Sequence, residues 1–135
     1  MMICSQESTG EHLLELLAAC HETGAAAARL ASQARIESLR SLLYERADRY
    51  RRSAEEIIEC LQSLPQIPDG HPPAARTVMP GADVASIWEA TECEALMHFR
   101  DALDSDLPVD VESAVLRHIE DGVRALERLR DIRDG

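Results

Sequence analysis

The chain has 135 residues, with 14 Lys+Arg against 25 Asp+Glu and a formal net charge of −11. That length suits one domain, large enough to bury about two-thirds of its unfolded surface without metal or disulfide help. A surface this acidic repels phosphate backbones and anionic lipid heads, so neither nucleic acid nor a membrane surface is an expected partner. No window holds ~18 consecutive apolar residues, and the start, MMICSQESTGEH, lacks a basic region followed by an apolar one, so no membrane span or signal peptide is expected.

Helix 1 is expected over about residues 9–31. Ser8-Thr9-Gly10-Glu11 reads as a capping box, in which the hydroxyl takes an orphan amide and the glutamate reaches back. Leu13, Leu17, Gly24, Ala28 and Ala31 then share one broad face at ~100° per residue. Helix 2 is expected over about 35–64, on a face running through Ile36, Leu39, Leu43, Ala47, Tyr50, Ala54, Ile57 and Leu61. One unbroken helix from Thr9 to Leu64 would be ~80 Å long at ~1.5 Å per residue, far too long for a domain of this size. The apolar stripe changes phase at Ser32-Gln33-Ala34, which predicts a tight turn there.

Residues 65–81, PQIPDGHPPAARTVMPG, hold five of the six prolines, so no helix crosses them. Helix 3 follows over about 83–105, with Val84, Trp88, Thr91, Ala95, Phe99 and Ala102 on one side. Helix 4 spans about 109–133, with Val111, Val115, Ile119, Gly122, Leu126 and Leu129. Pro108, Asp110 and Glu112 suit its first turn. Four amphipathic helices with one apolar stripe each predict an all-α four-helix bundle. The Pro-rich connection between helices 2 and 3 can reach ~50 Å at ~3.1 Å per residue. A crossover along the bundle makes helices 2 and 3 parallel; the alternative is a surface loop in an up-down-up-down bundle.

The second half, ECEALMHFRDALDSDLP followed by VDVESAVLRHIEDGVRALERLRDIRD, resembles an uncharacterised bacterial ferritin-like four-helix-bundle family known only as a domain of unknown function. His21-Glu22-Thr23-Gly24 and LLYERADRYRRSAEEI in the first half are similar in order and spacing, more loosely. The resemblance implies a ferritin-like fold and supplies no settled activity. Ferritin-like di-iron sites use a Glu-x-x-His pair on each of two helices, and this chain has none: Ala95 and Val115 stand three residues before His98 and His118. At the aligned positions of a core glutamate and a core histidine, it carries His21 and Leu126.

His21, His98 and His118 each fall beside apolar positions. Counted at ~1.5 Å per residue in the crossover topology, all three lie ~12–15 Å from one end of the bundle. Three imidazoles with Glu92 could then hold a transition metal, iron or zinc. The competing expectation is that each imidazole is satisfied by a hydroxyl, carbonyl or water. Arg46, Arg49, Arg51 and Arg52 can pair with Glu45, Asp48, Glu55 and Glu56 at helical spacing, which makes a solvated face rather than a phosphate site. Cys4, Cys20, Cys60 and Cys93 show no C-x-x-C spacing and read as free thiols in a reducing cytoplasm. The sequence thus predicts a cytoplasmic bundle acting as a non-enzymatic structural or protein-interaction module. Its partner is another protein or a second copy, for which Ile58, Leu61 and Leu64 offer a stripe. The alternative is a metal-binding protein or oxidoreductase using His21, His98, His118 and Glu92.

Overall fold

The computed structural model describes residues 3–62, 83–105 and 107–134, which form four α-helices and no strand. These are α1 (Ile3–Gln33), α2 (Glu37–Gln62), α3 (Val84–Leu103) and α4 (Val109–Asp134). The Pro-rich stretch 65–81 lies outside the described residues. α1 does not begin at the predicted capping box but runs through it from Ile3. The turn into α2 comes two residues later than the phase change suggested, at 34–36, where Arg40 holds the Ala34 carbonyl through Nη2 at 2.9 Å. α3 is capped by Asp83, whose carboxylate accepts from the Ala85 amide at 3.2 Å and the Ser86 hydroxyl at 2.6 Å. α4 opens directly after Pro108 with Asp110 and Glu112 in its first turn, as the helix dipole favours.

Neighbouring pairs are α1–α2, α1–α3, α3–α4 and α2–α4, so α2 and α3 face each other across a diagonal. Cross-helix pairs fix the directions. Along α2, Glu45 bridges Arg128, Ser53 bonds His118 and Glu56 lies near Arg117, so α4 runs antiparallel to α2. Along α3, Glu89 bridges Arg133 and Phe99 stacks on His118, so α4 is antiparallel to α3 as well. α2 and α3 are therefore parallel, and the ends that 63–82 must join, Gln62 and Asp83, lie at opposite ends of the bundle. Those are the helix directions that a crossover would require. Among the described residues no helix is long and apolar enough to cross a membrane.

The core stripes follow heptad-like spacing on all four helices. α2 buries Leu39, Leu42, Leu43, Arg46, Tyr50, Ala54, Ile57 and Leu61, while Ile36 is exposed. α1 buries Leu13, Leu16, Cys20, Thr23, Ala27 and Leu30, one residue out of phase with the predicted Leu17, Gly24 and Ala28. Of the predicted surface stripe, Ile58 is exposed and Leu61 is core, while Leu64 lies outside the described residues.

Two glycines set helix spacing. A Cβ on Gly24 would sit 3.3 Å from the Tyr50 Cβ, and one on Gly122 would sit 2.5 Å from Leu96 Cδ2 and 3.2 Å from its Cγ. Gly122→Val is accordingly expected to cost about 1–3 kcal/mol by overpacking, measured by urea unfolding. Adding Leu96→Ala should recover part of that loss, and a Gly122→Val protein as stable as the parent would contradict this packing.

Candidate functional site

Among the described residues buried polar side chains are few, and each helix supplies one: Thr23, Arg46, Glu92 and His118. Tyr50 links two of them, bonding Glu92 and meeting the His118 ring. Each occupies a core position of its stripe, in the series Leu39–Leu43–Arg46–Tyr50, Ala85–Trp88–Glu92–Ala95 and Val111–Val115–His118–Gly122. Helical spacing brings them inside as it would a leucine, and their polar atoms must then find partners.

Glu92 is fully buried and takes two donors. Arg46 Nε donates to Oε1 at 2.7 Å, and the Tyr50 hydroxyl donates to Oε2 in a very short hydrogen bond. Arg46 thus reaches across the diagonal from α2 to α3, with its guanidinium carbon also 5.1 Å from the Tyr50 ring centroid. Burial lifts the Glu92 carboxyl above its ordinary range, while the Arg46 charge and the Tyr50 hydroxyl pull it back. For Arg46 the burial penalty is outweighed by the Glu92 charge, which holds the guanidinium firmly protonated. Burial, reinforced by the Glu92 charge, pushes the Tyr50 phenol well above its usual range, so it stays a donor.

His118 lies beside this pair. Its ring stacks on Phe99 at 4.0 Å between centroids and meets the Tyr50 ring edge-on at 4.5 Å. Its Nδ1 is 2.8 Å from the Ser53 hydroxyl. Burial, and secondarily the Arg46 charge, drive its pKa down to about 3, so the imidazole is neutral at pH 7. Three nitrogens around Tyr50, Arg46 Nη2, Trp88 Nε1 and His118 Nε2, are buried without a hydrogen-bond partner among the described residues.

The predicted quartet is not brought together. His118 and Glu92 are inside, both touching Tyr50, whereas His21 and His98 are exposed. Gly24, one turn from His21, abuts Tyr50, and Phe99, next to His98, stacks on His118. Rotation separates them, because Cys20 and Phe99 hold the inward positions and turn their neighbours ~100° away. Among the described residues no group of three or more His, Cys, Asp or Glu side chains is placed to hold a metal ion. His21 instead borders an open groove of about 400 Å³ between α1 and α2, with Tyr44, Asp48 and Arg51.

The arginine face is corrected in one member. Arg51 and Arg52 bridge Asp48 at 2.5 and 3.2 Å, as helical spacing predicted, but Arg46 has left that surface for the core. Cys20, Cys60 and Cys93 are free thiols, and burial raises Cys20 to about 12, which makes it unreactive. Comparison with protein-family models and with curated proteins gave no match.

Proposed function

We propose that this chain is a ferritin-like bundle that has become a non-enzymatic structural or protein-interaction module. The parallel run of α2 and α3 supports the ferritin-like topology. The observation that carries the functional reading is the use of Glu92. Its carboxylate, the kind of group a bundle of this topology turns on a metal, is neutralised by a resident guanidinium and held by a phenol. A cation supplied by the chain itself stands where an inorganic one would be needed, and among the described residues no second carboxylate is buried beside it.

The competing reading, a metal-binding protein or oxidoreductase, has one feature in its favour. His118 Nε2 is buried and unpartnered among the described residues, and a neutral imidazole is a ready ligand. The two are separated by elemental analysis of untagged protein purified without chelator, followed by melting with and without EDTA. The module reading expects well under one metal per chain and an unchanged melting temperature. One or more equivalents of iron or zinc, with a melting point that falls on chelation, would overturn it.

A further inference from the structure

α4 carries two apolar rows, and the second is only partly covered by its own bundle. The second runs Leu116, Ile119, Val123 and Leu126, at alternating intervals of three and four residues. Leu116 and Val123 are 45% and 38% exposed, and the other two are half-buried against the core. Such spacing is what a helix uses to pack against another helix. Glu112 closes the row at one end and Arg130 at the other, on the same line. Both are exposed, and neither makes an ion pair within 4 Å among the described residues.

These six positions are symmetric in sequence about Asp121. Laid antiparallel across a two-fold axis at that level, two copies of α4 match throughout. Leu116 of one copy meets Leu126 of the other, Ile119 meets Val123, and Glu112 meets Arg130, each pair occurring twice. A parallel pairing would instead set Glu112 on Glu112 and Arg130 on Arg130. Met97, 64% exposed, stands at the level of the axis, because its neighbour Leu96 packs against Gly122. Glu120 faces its own copy near the axis, with Arg124 one turn away to offset the repulsion. We propose that this face of α4 is the interface of a homodimer, built on an antiparallel α4–α4 seam with an ion pair at each end. The inference rests on the interaction-module reading and names a second copy of this chain as the partner.

The test is the mass of the full chain in solution, by light scattering from low micromolar to near-millimolar concentration. The expected mass is twice the 14.9 kDa of one chain. Glu112→Arg and Arg130→Glu should each weaken association on the order of ten-fold, because two weak attractions per dimer become repulsions. The double reversal should restore it. Leu116→Asp should give monomers that keep their helicity, and the two charge reversals carry the test if that variant fails to fold. A monomer at every concentration, a dimer indifferent to these changes, or a double reversal that does not recover, would each overturn the proposal. A metal-free monomer would sink the dimer while leaving the module reading standing.

Discussion

Replacing Arg46 by methionine is expected to destabilise the fold by about 3–5 kcal/mol, because the substitution leaves the Glu92 carboxylate buried with no counter-charge. In a domain of this size that corresponds to a fall in melting temperature of roughly 10–20 °C. The guanidinium is almost fully enclosed, so solvent cannot take its place. Arg46→Met combined with Glu92→Met should recover most of the loss, since two apolar side chains of matching length remove both charges together. Urea unfolding of the two single variants and the double gives the coupling energy directly. A single substitution costing under about 1 kcal/mol would show that the pair does not hold the core together.

Acidification should destabilise the protein through His118. In the unfolded chain this imidazole takes up a proton as the pH falls through 6.5, whereas in the fold it stays neutral until about 3. Its contribution is thus complete above pH 6.5 and lost progressively towards pH 3. The loss is about 2 kcal/mol by pH 5 and about 5 kcal/mol at the limit. Ser53, the Tyr50 and Phe99 rings and the Arg46 guanidinium surround it. Arg49, Arg52, Glu56, Arg117 and Asp121 line the groove above it. Glu92 acts in the opposite sense, because its raised carboxyl favours the folded state at acid pH. The comparison that isolates the histidine is therefore parent against His118→Gln, by urea unfolding at intervals from pH 7 to 4. The parent should lose the extra stability over that window and the variant should not. Parallel pH profiles would mean that the ring is already solvated.

The four-helix architecture was legible because the proline clusters and the apolar stripes separate the helical segments. The length of the Pro-rich segment allowed parallel α2 and α3 but did not choose between that and an up-down-up-down order; the cross-helix pairs of α4 do. Finer phase was not legible on α1, where Leu13, Leu14, Leu16 and Leu17 offer two apolar faces ~100° apart, and nothing local chooses between them. Height along a helix was legible but rotation was not: of the four residues expected to face inward together, Glu92 and His118 are buried while His21 and His98 are exposed. Arg46 escaped because charge suggested solvent. Yet its place one turn before Tyr50, on the line through Leu39 and Leu43, is a core position. A charged residue interrupting a core line on one helix, matched by one of opposite sign on another, is a sequence signal for a buried pair.

The diagonal ion pair has an evolutionary corollary. Arg46 and Glu92 come from opposite halves of the gene, yet neither codon can drift alone without passing through a protein short of several kcal/mol. A sequence with a fully apolar centre is thus two coordinated substitutions away, and either single step passes through a less stable protein.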